Sequence, residues 1–196
     1  MKNNQSGRSM VEMLGVLAII GVLSAGGLAG YSKAMFKHKL NSTMDQITML
    51  VTNIRTMYGT QGNYDGLNNQ TAVNLGIVPA VMGTGASLTN PFKGDVTIAV
   101  SSTKGDAETA PANSAFTLKY EGLPSEACIA LATADFGSGA GSGFIGVDIA
   151  AASTAVVGTG AGSGQDVRAE GKAYEMSKAI TACKDSQSNT IIWKFY

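Results

Sequence analysis

A chain of 196 residues has room for one ordinary domain plus an extra element, and it can bury a real core. Charged residues are only 14% of it, with Lys+Arg and Asp+Glu balanced at 14 each, so it lacks the basic surplus that a nucleic-acid-binding face requires. Its 25 glycines, mostly after residue 80 among many Ala, Ser and Thr, suit a loop-rich β domain or an exported surface protein better than a helical enzyme.

From Met13 to Ser32 the chain runs for 20 residues without a charge. A helix of that length spans about 30 Å, the thickness of a bilayer's hydrocarbon core. Lys2 and Arg8 precede it and Lys33, Lys37 and Lys39 follow it, so flanking basic residues do not fix an orientation. Three readings compete: a plain membrane anchor, a secretory signal peptide cut near Ser24-Ala25-Gly26, and a segment cut ahead of its apolar stretch. The discriminating detail is Gly7-Arg8-Ser9-Met10-Val11-Glu12-Met13-Leu14. A signal peptide runs from its basic residues directly into its apolar core. Here Glu12 stands at the threshold, where a carboxylate is costly unless it keeps water or finds a partner.

That octapeptide resembles the type IV prepilin signature, in which a dedicated peptidase cuts after a glycine and the fifth mature residue is a glutamate heading an apolar helix. The resemblance implies a leader over residues 1–7, cleavage between Gly7 and Arg8, and Glu12 in fifth place. The family's first mature residue is usually Phe or Met, often N-methylated; Arg8 departs from that pattern. Glu12 is then the expected assembly residue. In a water-poor bundle of apolar helices its carboxylate attracts the α-amino group of an incoming subunit, and an unpaired charge there is penalised, so the pair sets the axial register of each addition. The bland alternative places Glu12 among lipid headgroups.

The helical pattern continues past the apolar run. Phe36, Leu40, Met44, Ile47, Val51, Ile54 and Tyr58 recur at spacings of three and four, an apolar stripe with Lys37, Lys39, Asp45, Gln46, Asn53 and Arg55 largely elsewhere. The spacing predicts one helix over residues 8–58, its membrane span at about 13–32, stopped by Gly59 and Gly62 and lying against a sheet of the same chain. Gly26, Gly27 and Gly30 mark either a bend or close helix packing.

Residues 59 to about 94 read as an irregular connection with one short helix. Val96 to Ser101 and Ala115 to Tyr120 read as strands, and Leu123-Pro124-Ser125-Glu126 as a helix start. Gly143 to Ile149 is an expected strand, Asp166 to Cys183 an expected helix, and Thr190 to Tyr196 a strong strand by composition. Four stretches, 53–59, 63–67, Leu75-Gly76-Ile77-Val78-Pro79 and Asn90-Pro91-Phe92-Lys93-Gly94, look like type IVb pilins. Cys128 and Cys183 read as one disulfide in an exported chain, or as two buried thiols otherwise. The family resemblance implies the bond, tying the C-terminal part of the head to the rest. The expected fold is α+β: a long N-terminal helix packed on an antiparallel sheet, with residues 59–196 as the pilin head.

No catalytic or metal constellation is legible. His38 is the only histidine and sits among lysines, so neither a zinc site nor a His-dependent nucleophile is expected. The runs GSGAGSG (137–143) and GTGAGSG (158–164) lack the Lys-Ser/Thr ending of a P-loop and read as surface loops. The expected role is therefore a type IV pilus subunit with no cofactor. The prepilin resemblance implies a precursor held in the inner membrane and then displayed on the cell surface, with copies of itself, a prepilin peptidase and the assembly machinery as partners; the charge balance predicts no nucleic acid. A minor pilin or secretion-system pseudopilin shares the same N-terminal chemistry; a membrane-anchored exported enzyme is the remote alternative.

Overall fold

The run from Met10 to Tyr58 contains no proline, is rich in Leu, Met, Ala and Ile, and carries Glu12 in its first turn and Arg55 in its last, where each complements the helix dipole. In the computed structural model it forms one 49-residue helix, α1 (Met10–Tyr58). The structure describes residues 10–101, 113–136, 143–150, 165–168, 174–184 and 188–196. Helix α1 passes unbroken through Gly26, Gly27 and Gly30, and a Cβ at any of the three would meet nothing within 4 Å. The chain divides into two units, Met1–Lys39 and Leu40–Tyr196, so the boundary falls inside α1 and not at its end.

The second unit is built on one antiparallel sheet. Its strands are β1 (Leu88–Thr89), β2 (Asp95–Ser101), β3 (Ala115–Leu123), β4 (Phe144–Ala150), β5 (Gln165–Arg168) and β6 (Asn189–Phe195), in the order β1-β2-β3-β6-β4-β5. Three helices join them: α2 (Asn69–Asn74), α3 (Ser125–Ala132) and α4 (Met176–Ala182). The last strand in sequence is therefore central in space. Its β-branched and aromatic residues suit that position, with hydrogen-bonded neighbours on both edges and every side chain from Ile191 to Phe195 buried.

Register sets the core. Phe116, Phe195 and Phe144 align in one row across β3, β6 and β4; Leu118, Trp193 and Val147 form a second; Tyr120, Ile191 and Ile149 form a third. A register shift in β4 between Phe144 and Gly146 brings both Phe144 and Val147 to the same face. Ile47, Leu50, Ile54 and Tyr58 of α1 join these rows in one buried cluster. Leu50, which a strict alternation of threes and fours passes over in favour of Val51, is fully buried. The buried arc is wider than one line of residues, as expected of a helix lying on a sheet rather than in a coiled-coil seam. Leu40 and Met44 are half-buried against this cluster.

Three asparagines tie loops to strands. Asn69 accepts from the Ile98 N–H at 2.7 Å and donates to the carbonyls of Ala86 and Val96, fixing α2 to β2. Asn90 accepts from the N–H groups of Phe92 and Gly94 and donates to the Glu121 carbonyl at 2.8 Å. Gly94 has no room for a side chain, because a Cβ there would fall on the Glu121 carbonyl. Asn189, itself buried, donates to the Leu123 carbonyl at 2.9 Å across the β3–β6 irregularity.

Arg55 fastens the end of α1. Its guanidinium lies 5.6 Å from the centre of the Phe195 ring and is hydrogen-bonded to the Tyr64 hydroxyl. It also occupies the space where a Cβ of Gly143 would stand; Gly143 has φ +69° and accepts from the Tyr196 N–H at 2.8 Å. The rings of Tyr58, Tyr64, Phe116, Phe195 and Phe144 continue this anchor, with successive centroids 4.8 to 5.7 Å apart.

One expectation is corrected. The helix foreseen from about Asp166 to Cys183 is instead strand β5 followed, after an interval, by the seven-residue α4. Residues Gln165, Asp166 and Arg168 pair with Ile149, Asp148 and Val147 of β4, and this non-local hydrogen bonding overrides a composition that permits helix. The glycine run 158–164 and all but Gly143 of the run 137–143 lie outside the described residues.

Cys128 in α3 and Cys183 after α4 are joined, with Cα atoms 5.8 Å apart. The Ser125 hydroxyl donates to the Cys183 carbonyl at 2.5 Å beside them. Both sulfur-bearing residues are buried, so reductant without denaturant is expected to leave the bond intact. Replacing both with Ser is expected to lower unfolding free energy by about 4 kcal/mol for a loop of this length, measured by urea denaturation. Burial also raises the pKa of the Tyr120 hydroxyl, and of Tyr58 and Tyr64; nearby Asp65 adds to the rise at Tyr58, and Arg55 partly offsets it at Tyr64. Folded pKa values above the unfolded one hold their stabilising contribution below pH 10.0 and lose it as pH rises through the folded values. The urea midpoint should therefore fall above about pH 10, and less steeply in Tyr120→Phe. A midpoint unchanged through about pH 11 would contradict the assignment.

Candidate functional site

The residues singled out from the sequence fall in the two separate units. Glu12 lies in the first turn of α1 and is exposed; Cys128 and Cys183 form the disulfide of the second unit. Gly7 and Arg8 lie outside the described residues.

The first unit carries the dominant physical feature of the chain. Every residue from Met10 to Met35 is exposed, including Val11, Leu14, Leu17, Ile20, Leu23 and Leu28. This helix meets the length and hydropathy of a membrane span, with a mean hydropathy of 2.1 over its most apolar window. Moving a single Val, Leu or Ile from water to an apolar setting is worth about 1.5–3 kcal/mol. A helix that leaves so many uncovered is built for lipid or for other helices, since soluble monomers rarely expose contiguous apolar patches of such size. No carboxylate or basic residue interrupts the helix between Glu12 and Lys33, so Glu12 is the one charge at its apolar threshold.

The lower part of α1 has a different surface. Exposed Thr48, Thr52 and Thr56 each donate their hydroxyl to the carbonyl four residues earlier, at 2.8 to 2.9 Å. A cleft of about 230 Å³ beside Thr48, Val51, Thr52 and Arg55 is walled by Asp135, Phe136 and Phe195. Among the described residues no group of three or more His, Cys, Asp and Glu could hold a metal ion. Asp148 is buried in β4, while Asp135 is exposed. The sequence reading missed Arg55 as an anchor because its role is visible only once Phe195 and Tyr64, distant in sequence, are brought beside it.

The PilS N-terminal family model matches residues 37–195. Two relatives, each described as the major structural subunit of bundle-forming pilus, come from Escherichia coli O111:H- and Escherichia coli O127:H6 (strain E2348/69 / EPEC). Each is 27% identical over 200 residues, covering 99% of this chain and 95% of the relative. Among solved structures, the type IV pilin TcpA from Vibrio cholerae El Tor biotype aligns with a TM-score of 0.53 at 19% identity, covering 81% of this chain and 99% of that one. A type IVb pilin from Salmonella typhi aligns with a TM-score of 0.51 at 18% identity, over 78% of this chain and 97% of that one. A family model spanning most of the chain and a fold shared with these two structures lead to one conclusion: the chain belongs to the PilS N-terminal family and has the type IV pilin fold.

Proposed function

We propose that this chain is a structural subunit of a type IV pilus and not an enzyme: a protein that assembles with copies of itself into a surface filament. The observation that carries this reading is the fully exposed apolar helix from Met10 to Met35, attached to a chain whose second unit buries its own core. Lipid covers that helix before assembly, with residues 13–32 held in the inner membrane, and neighbouring helices cover it afterwards. Relatives described as major subunits support a major role over the minor-pilin or pseudopilin reading.

In this account a prepilin peptidase removes residues 1–7 by cutting after Gly7, and Arg8 becomes the first residue. Glu12, at the threshold of the uncharged run, then attracts the new α-amino group of an adjoining subunit in a setting poor in water, where opposite charges attract strongly and an unpaired one is penalised. The assembly machinery of the inner membrane lifts each subunit as this pair forms.

Glu12→Ala tests the assembly step. It is expected to leave membrane insertion intact, read by alkaline extraction, while sheared filament yield falls by at least about tenfold, as weakening of each addition would produce. Normal filaments from that variant would remove Glu12 from the mechanism. Filaments absent even from cells expressing the unaltered chain would remove the pilus reading itself.

A further inference from the structure

We propose that Asn69 guards the outer edge of β2: its side-chain amide occupies that edge and keeps the heads of two copies from pairing strand to strand. The inference concerns the second unit alone and does not depend on the filament reading.

A strand with the composition of β2 is a hazard at an edge. From Val96 to Ser101 it reads Val-Thr-Ile-Ala-Val-Ser, rich in β-branched residues and free of charge, proline and glycine. Exposed at a sheet edge, segments of that kind pair readily with another chain. The inner edge of β2 is taken by β3 from Val96 to Ser101. On the outer edge, β1 pairs with Asp95 and Val96 and goes no further.

Asn69 takes over where β1 stops. Leu88 stands opposite Val96, so a longer β1 would set Ala86 opposite Ile98. Instead the Asn69 amide bridges those two residues, donating to the Ala86 carbonyl at 2.8 Å and accepting from the Ile98 N–H at 2.7 Å. It also donates to the Val96 carbonyl at 2.9 Å. A carboxamide carries the donor and acceptor of a peptide group, so here it substitutes for a short piece of strand. Asn68, one residue back, forms a β-bridge to Ala99 and caps α2 by accepting from the Thr71 N–H at 2.9 Å. Leu67 and Ala72, on either side of this pair, are buried in the core and hold the amide against the edge. The backbone groups through which an added strand would bind, the Val96 carbonyl and the Ile98 N–H, are therefore already engaged.

The test is hydrogen exchange of the full chain in detergent micelles at several protein concentrations, with light scattering to read protein mass per micelle. In the unaltered chain, Ile98 is expected to be equally protected at every concentration. In Asn69→Ala it is expected to exchange at least about tenfold faster in dilute protein. Its protection should then return as concentration rises, together with a mass above that of the unaltered chain, while β3 and β6 stay protected throughout. Unchanged exchange at Ile98 in Asn69→Ala would overturn the guard. So would fast exchange with no added association at any concentration, which would leave Asn69 as a tie between α2 and the sheet. Asn69→Leu removes the same hydrogen bonds but keeps the bulk of the side chain, and it carries the same expectations if Asn69→Ala loses protection in β3 and β6. Loss of that protection in both variants would overturn the guard in favour of a purely structural role.

Discussion

The burial of one stripe of α1 in the core of the sheet is the contact on which the second unit depends. Ile47, Leu50 and Ile54 are wholly enclosed, and they share a cluster with three aligned rows of β3, β6 and β4. At about 25 cal/mol per Å² of apolar surface removed from water, burying these side chains and the rings opposite them stabilises the head. The same helix, nearer its N-terminus, offers apolar side chains with nothing inside the chain to cover them. Sequence thus writes two solvation demands into one element. One is met by the chain's own sheet, and the other is left for lipid or for other subunits. A subunit that satisfied both demands internally would have no reason to assemble.

The order of the sheet explains the cross-links around it. Because β6 is the last strand and lies between β3 and β4, everything from Pro124 to Ser188 is an excursion that must return to the centre of the sheet. The disulfide joins the two ends of that excursion, closing it at Cys128 and Cys183. Asn189 bonds the first residue of β6 back to the last residue of β3, and Arg55 reaches the other end of β6 from the helix. Each device constrains the entry or exit of the central strand, where slippage would turn Trp193 and Phe195 away from the core.

Local signals carried much of this architecture. An uncharged run, a helical stripe and the β-rich ending Thr190 to Tyr196 are local patterns, and α1, β2, β3, β4 and β6 follow them to within a few residues. The disulfide was legible from two cysteines and an N-terminus suggestive of export. What remained hidden depends on partners far apart in sequence. Strand β5 exists through its pairing with β4, so the window around Asp166 and Arg168 reads equally well as helix. Arg55 lies among residues assigned to the polar side of α1, and only the fold brings Phe195 to it. Asn69 looks like an ordinary helix-start residue until its amide is found bonding three backbone groups between residues 86 and 98. The candidate processing and assembly residues rest on a short linear motif alone, and Gly7 and Arg8 lie outside the described residues.

The central claim is that this chain is cut ahead of its apolar helix so that the helix itself enters a filament. The most direct measurement is mass spectrometry of the N-terminus of the protein in filaments sheared from cells expressing the native sequence. The account predicts a chain beginning at Arg8, with or without an added methyl group, as an abundant species in that fraction. A chain beginning near Gly26, or one intact from Met1 and missing from sheared material, would contradict it.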